Sequence, residues 1–519
     1  MKIFKTKSIK LLGISLLSLF IFATCADLVV ENENSPKTED VLASPTDIES
    51  LLPTGFVQWW QAATGFEQYL GVMVGIDYFT SSYGNADMKD RGAEPRIPYN
   101  NSPTATEDQA AIAEGPWYGM YGALTQGSDV IRNLTGPEAL FDIVPSSQED
   151  VSDADYTKMV IASAKYLQGL SLSFVGQYFD QGYAIDENSV AADLVLKPYT
   201  DVLALADQKL KEAADIAAAL PANVLFGTDY ISGFETLSMK TDFVQLVNTE
   251  RARIKIYAPR KASEVAAVDW AAVKDLSNKG ITFDFSPEGD DMFWYSYGML
   301  YNNIGNWVRV DQRIIHMMDP TQPARYPATG TLGEASSDDA RLTSDYAFYA
   351  SSPFPPERGY YYHGHYISNR YPDHAFAFAG GPMPYTLKAE NDLMYAEAVI
   401  RLDDTANKPA AVAKINETRV TRGNLAPVTI LNTKAELLDA IKYERNVELY
   451  LSALTTHMAD ARRYETYVAG SLPHYPVPAS ELLLLLEDIY TFGGNDKVSP
   501  NNPYSLHIKR LDKSMSRIK

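Results

Sequence analysis

Cysteine is nearly absent: the 519-residue chain has one, Cys25. Disulfides within the chain and cysteine-rich zinc sites are thereby excluded. Positive charge is scarce, with 45 Lys and Arg against 66 Asp and Glu and a net charge of −21. That balance argues against nucleic acid as a partner and against broad adsorption to anionic membranes. Enzyme signatures are missing as well: there is no G-x-S-x-G, H-E-x-x-H, phosphate-cradling glycine loop or G-x-G-x-x-G. Carboxylate pairs for glycoside hydrolysis stay open, because their spacing is three-dimensional. Strand signals are few, the clearest being residues 280–285. Between 283 and 386 there is no lysine at all, and every basic residue apart from histidine is arginine.

What is present begins with Lys2, Lys5, Lys7 and Lys10, then the apolar run LLGISLLSLFIFAT, roughly 14 residues long. It is too short for a comfortable membrane span and suits the core of a signal peptide. Cys25 closes it at Phe22-Ala23-Thr24-Cys25, where a bacterial lipoprotein signal places the thiol that takes a lipid. Thr24 departs from the usual Gly, Ala or Ser. The expectation is a signal peptide over 1–24, lipidation at Cys25 and an acidic, proline-containing tether over 25–45. The folded body then runs over 46–519, as helical segments in 46–282 and 387–519 on either side of a loop-rich excursion, 283–386.

Helical periodicity predicts helices near 48–70, 107–134, 156–178, 198–220, 240–257, 269–278, 388–402, 409–422, 433–451 and 458–468. Small residues Ala162, Ala164, Gly169 and Ser173 would let the third of these pack closely. Tandem helix pairs of similar length suggest an all-α repeat architecture. The stretch 291–310, DMFWYSYGMLYNNIGNWVRV, opens the excursion. Phe293, Trp294, Tyr297, Leu300, Tyr301 and Ile304 share one helical face, so 291–304 reads as an aromatic-faced helix seating the excursion on the scaffold. Trp294 and Tyr297 are read as core; Trp117, Tyr121 and Trp270 are read as packing residues.

The C-terminal third resembles the SusD/RagB outer-membrane lipoproteins of Bacteroidetes. Residues 389–398, AENDLMYAEA, are similar to that family's "AE…L..AEA" helix, and 415–423, INETRVTRG, end the helix that follows. Residues 441–449, IKYERNVEL, look like its "I..ER..EL" element, and 474–482, HYPVPASEL, like its "hPIP..EL" ending. Upstream, 117–131 and 162–179 are similar to two of its helices, with Asp129 near a usual Asn. The family's "EG.R..DL.R" appears here only as Ser452-Ala453 and then Thr456-His457-Met458-Ala459-Asp460. The resemblance implies a single SusD-like domain over 46–519, built of tetratricopeptide-like helix pairs carrying irregular loops. It also implies a surface lipoprotein of the outer membrane, anchored at Cys25. Such a protein captures an oligosaccharide, or in some members a peptide, for a TonB-dependent SusC-like transporter, without catalysis or cofactor. A surface helical-repeat hydrolase and a purely structural scaffold are the other readings.

The resemblance places ligand contacts in the loop 76–103 and in the excursion. Pyranose faces stack on aromatic rings while Asn and Arg read hydroxyls. The candidates are therefore Tyr83, Asn85, Arg91 and Tyr99 in the first loop, and Asn306, Trp307 and Arg309 with Tyr361 and Tyr362 in the second. Trp307, beyond the end of the helical stripe, leads them. The competing reading makes each of these an anchor for its loop. Six arginines, Arg309, Arg313, Arg325, Arg341, Arg358 and Arg370, would suit an acidic sugar, or else pair with nearby Asp and Glu. His363-Gly364-His365 and Glu288-Gly289-Asp290-Asp291 lack a metal-site pattern, and no metal is expected.

Overall fold

The computed structural model describes residues 44–134, 148–375 and 380–494. Cys25 and the segments expected to be signal and tether lie outside the described residues. The fold is mainly helical, as the periodicity predicts. Near the N-terminus run α1 (Pro45–Glu49), α2 (Leu51–Thr64), α3 (Phe66–Gly75) and the short α4 (Met88–Arg91). After α5 (Glu107–Leu134) and α6 (Asp153–Tyr178) come α7 (Tyr199–Ala219), α8 (Val244–Tyr257) and α9 (Trp270–Asn278). The excursion holds α10 (Tyr297–Ile304), α11 (Gln312–Met318) and α12 (Arg341–Ser344). The chain then returns through α13 (Lys388–Arg401), α14 (Lys408–Arg419), α15 (Lys434–Val447), α16 (Leu454–Tyr464) and α17 (Ala479–Leu484).

Packing follows chain order: α2 rests on α5, α5 on α6, α6 on α7, α7 on α8, α8 on α9, and α9 on α13, which carries α14 and α15. Each helix of this scaffold buries an apolar stripe against its neighbours, the stacking logic of helical repeats. Gly169 shows why α6 needs small residues, since a Cβ there would lie 2.5 Å from the Leu210 side chain on α7. Caps agree with the sequence: Ser152 accepts the Asp155 N–H at the start of α6, and Thr433 with Glu436 forms a capping box on α15.

Two expected helices are cut short. The segment 48–70 breaks at Gly65, whose extended backbone (ψ 162°) separates α2 from α3. The segment 291–304 is helical only from Tyr297, because Asp290 folds back and its carboxylate accepts the N–H groups of Met292, Phe293 and Trp294. Residues 280–285 form no strand and make one isolated pairing, Phe285 with Thr386. A small antiparallel sheet forms elsewhere, from β1 (Phe79–Thr80), β4 (Arg309–Val310), β5 (Tyr346–Phe348) and β6 (Tyr366–Ser368), in the order β1-β4-β6-β5. A separate hairpin pairs β2 (Gln181–Tyr183) with β3 (Leu196–Pro198). The larger sheet matters for function, because Phe79 pairs with Val310 and Thr80 with Arg309. It welds the first loop to the excursion.

The residues carrying the family resemblance build a buried ionic network. Glu390 on α13 meets Arg253 at 3.0 Å, Glu397 meets Arg463 at 2.7 Å, and Arg445 meets Asp460 at 2.7 Å. Arg341, wholly buried, bridges Asp339, Glu444 and Glu448, while Arg370 joins Glu448 at 2.7 Å. These charges are costly to bury and tolerable only when paired, so removing one partner destabilises strongly. Two of the arginines, Arg341 and Arg370, come from the excursion; the network therefore locks it onto the C-terminal helices. Asp460 lies in the segment that departs from the family pattern, and it takes part in the network all the same.

Candidate functional site

Where β1 and β4 bring the two loops together, a row of half-buried aromatic rings lies at the surface. Phe66, just past the break at Gly65, stands edge-on to Tyr297 (5.5 Å between centroids), Tyr301 (5.4 Å) and Trp307 (5.8 Å). Tyr297 and Tyr301, one helical turn apart on α10, stack at 9° between planes. Trp307 lies 5.3 Å from Tyr301 and 5.9 Å from Tyr83 of the first loop. Tyr295 extends the row beyond Tyr297, and the buried Phe354 closes it behind Tyr83. Each ring is braced by its neighbours, so little motion is left to lose on binding.

Isolated half-exposed aromatics are ordinary; a contiguous row drawn from three separate segments is a candidate binding surface. The indole N–H of Trp307 and the hydroxyls of Tyr83 and Tyr301 have no protein partner among the described residues. They are free to meet polar groups of a ligand lying on the rings. Backbone bonds hold the centre: Ser81 Oγ donates to the carbonyl of Trp307 at 2.7 Å, and Thr80 Oγ1 donates to that of Tyr361. Burial and the neighbouring Tyr295 push the Tyr297 hydroxyl up to about 12, and burial raises Tyr301 too. Both stay protonated, able to donate as well as accept. Burial also raises the Glu67 carboxyl beside the row, helped by Asp108 and Glu107.

The expected candidates divide. Trp307 and Tyr83 sit at the centre of the row, and Asn306 and Asn85 are exposed near it. Tyr361 is half-buried, its ring 4.5 Å from that of Tyr362. Tyr362 is itself buried, and its hydroxyl donates to the Lys89 carbonyl. Arg91 and Tyr99 do not fit the ligand-facing expectation. The Arg91 guanidinium is held by Asp87 at 2.7 Å and lies over the Tyr99 ring, while the Tyr99 hydroxyl donates to Gln109 O at 2.6 Å. Both anchor the first loop against α5, as the competing reading had it. Trp294, Trp117 and Trp270 are buried, as expected of core residues. Tyr297, read as core, is half-buried and belongs to the row, whereas Phe293 on the same expected face is 50% exposed.

Arg309 is the odd member. It is 5% exposed, yet its Nε and Nη1 have no hydrogen-bond acceptor. The Tyr349 ring faces it, 4.7 Å from Cζ, and burial pulls its pKa below the usual guanidinium value. Among the described residues no group of three or more His, Cys, Asp or Glu is placed to hold a metal. Both ring nitrogens of His365 are engaged, with the Tyr326 hydroxyl and the Tyr349 carbonyl.

Sequence reasoning missed Phe66, Tyr301 and Phe354. Phe66 fell inside an expected continuous helix, and Tyr301 was counted on a packed stripe. The signal available was Gly65 directly before an aromatic residue.

Comparison with known proteins points one way. The SusD family model matches residues 356–497. No curated protein matches the sequence. Among solved structures, a SusD homolog from Bacteroides thetaiotaomicron is 14% identical with a TM-score of 0.55, covering 85% of this chain and 96% of its own. A second homolog from that organism is 12% identical at a TM-score of 0.56, covering 87% and 97%. A SusD-like carbohydrate binding protein from Bacteroides fragilis is 14% identical at 0.54, covering 82% and 88%. At such identities the structural likeness speaks for the fold. The matched segment contains Glu390, Glu397, Glu444, Arg445 and Glu448, whose buried network ties that fold together. The family match is confined to residues 356–497, and with the shared fold it makes this chain similar to SusD family proteins over that segment and SusD-like in overall architecture.

Proposed function

We propose that this protein is a cell-surface glycan-binding lipoprotein, anchored in the outer membrane through Cys25. It captures oligosaccharide on the aromatic row and delivers it to a TonB-dependent SusC-like transporter. The observation that carries this reading is the row itself: Phe66, Tyr83, Tyr297, Tyr301 and Trp307 form one braced, half-buried band with free donors beside it. Sugar rings present apolar C–H faces to such a band and hydroxyls to its edge. One structural neighbour is described as a carbohydrate binding protein, which supports the same ligand class here. Among the described residues no helix is long and apolar enough to cross a membrane. Asn85, Asn306 and Tyr361 are assigned secondary contacts at the rim of the row.

Isothermal titration against a panel of oligosaccharides tests this, with Trp307→Ala alongside wild type. Glycan binding in wild type and a loss of at least about tenfold in the variant, near 1.4 kcal/mol, are expected. Binding of peptides and of no glycan would instead make this a peptide-uptake protein. Equal affinity in the variant would remove Trp307 from the site.

A further inference from the structure

Five of the six excursion arginines are taken. Arg313 donates to the Asp77 carbonyl and to Asn446, Arg325 pairs with Asp77, and Arg341 with Asp339 and Glu444. Arg358 donates to the Ser82 carbonyl, and Arg370 pairs with Glu448. Arg309 is the exception. No carboxylate lies within 4.0 Å of it among the described residues, and two of its three guanidinium nitrogens are sealed from water without an acceptor. A buried cation that cannot shed its proton normally carries its own counter-ion.

The surroundings keep space at this guanidinium. Gly305 turns the chain there in the left-handed region (φ 69°), and a Cβ on it would come within 2.5 Å of Arg309 Nη1 and 2.1 Å of Ile367. Tyr349, 45% exposed, covers the guanidinium from the solvent side with an aromatic face and no charge. Gly305, against which the Arg309 guanidinium packs, directly follows α10, the helix that carries Tyr297 and Tyr301 of the row. At the other end of the row, the Arg358 guanidinium lies over the Tyr83 ring, 5.8 Å from its centroid.

We propose that Arg309 is the counter-charge for an acidic group on the ligand of the aromatic row, so that the glycan captured carries carboxylate or sulfate groups. The inference rests on the glycan reading and narrows it. The rings hold the sugar faces, and Arg309 takes the acid through its planar fork once the Tyr349 ring turns aside. The surrounding protein carries a net charge of −21 and opposes an anionic ligand at long range, which makes a local, desolvated cation the means of selecting one.

Titration of the full chain with matched pairs tests this: oligogalacturonate against its carboxyl-reduced form, and a sulfated galactan against its desulfated form. At least a tenfold preference for one acidic member is expected, and which pair shows it separates uronate from sulfate ester. Arg309→Gln should abolish that preference while keeping affinity for the neutral member, and Arg309→Lys should retain part of it. The melting temperature of Arg309→Gln should hold or rise, because no partner is stranded; a marked fall would make Arg309 a structural cation and overturn the proposal. Equal binding of acidic and neutral members by wild type would overturn it too and leave the glycan reading standing. Binding to neither pair nor to any other glycan would overturn both.

Discussion

Arg341 and Arg309 stand on the same excursion, both withdrawn from water, in opposite circumstances. Arg341 is enclosed by Asp339, Glu444 and Glu448, with the Tyr443 hydroxyl donating to the same Asp339 oxygen that Arg341 Nη2 binds. Arg309 has an aromatic face above it and no acceptor at Nε or Nη1. The first arrangement is closed, and its charges cancel within the protein. The second is open. Arg260, Arg313, Arg445, Arg462 and Arg463 each leave a nitrogen unpaired but bond through the others, whereas the Arg309 guanidinium has no acceptor among the described residues, which is where a further molecule could complete the set. The same contrast separates the two ends of the excursion: one is riveted to α15 by ion pairs, and the other presents rings to solvent.

The largest expected effect comes from breaking the closed end. Arg341→Met strands Asp339, Glu444 and Glu448 together and should cost about 3–5 kcal/mol, seen as a large fall in melting temperature. Glycan affinity of the fraction that remains folded should change little, because the row lies at the far end of the sheet. If melting were unaffected, the network would not be what holds the excursion down.

Next comes a pair of carboxyls where the first loop meets the excursion, Asp77 and Asp311. Asp311 caps α11, accepting the Arg313 N–H at 2.8 Å, and burial together with the nearby Asp77 raises its pKa to about 7. Asp77, beside Arg96 and Arg325, is shifted the other way. A carboxyl raised in the folded state keeps its proton while the unfolded chain releases one. Stability is therefore complete below about pH 4 for this group and is lost as pH climbs to about 7. Asp311→Asn preserves the cap and removes the titration. The variant should gain about 1–3 kcal/mol relative to wild type between pH 5 and pH 8, measured by urea unfolding at both. An identical pH dependence in the two proteins would show that Asp311 ionises normally.

On the open end, Tyr301→Ala should weaken glycan binding about tenfold, near 1.4 kcal/mol, and lower stability by less than Arg341→Met does. Tyr301 touches Phe66, Tyr297 and Trp307, so its loss also unbraces the row. Undiminished binding would confine the site to Trp307 and Tyr83.

How much of this could be read in advance differs between the same two regions. The closed end was legible through Glu390, Glu397, Glu444, Arg445 and Glu448, whose motif spacing places them on helices and whose charge in apolar surroundings demands partners. The partners themselves, Arg253, Arg341 and Arg463, lie far away in sequence and only the fold brings them in. At the open end Trp307 and Tyr83 were found, but Tyr297 and Tyr301 were given to the core. Spacing of i, i+4 tells which residues share a helical face and not what covers that face. The strands that join the loops are two residues long at β1 and β4, too short for any alternation to register. Gly65 was passed over because the apolar pattern continues across it, though its extended backbone turns Phe66 out to the row.

The smallest effect sharpens the comparison most, because it separates an anchor from a contact inside a single loop. Tyr99 and Tyr83 both belong to the first loop, and composition gives no reason to prefer either. Tyr99 is buried, donates to Gln109 O at 2.6 Å, stands edge-on to Tyr475 at 5.2 Å and lies beneath Arg91. Tyr99→Phe keeps the ring and its packing and leaves one carbonyl short of a donor, a cost of about 1 kcal/mol in stability. Glycan affinity should stay within twofold of wild type. Tyr83→Phe should do the reverse, holding the melting temperature while weakening glycan binding a few-fold, since the Tyr83 hydroxyl has no protein partner and its ring braces Trp307. If Tyr99→Phe weakened binding as much as Tyr83→Phe, the loop would act as one body, and the division between anchoring and contacting residues would fail.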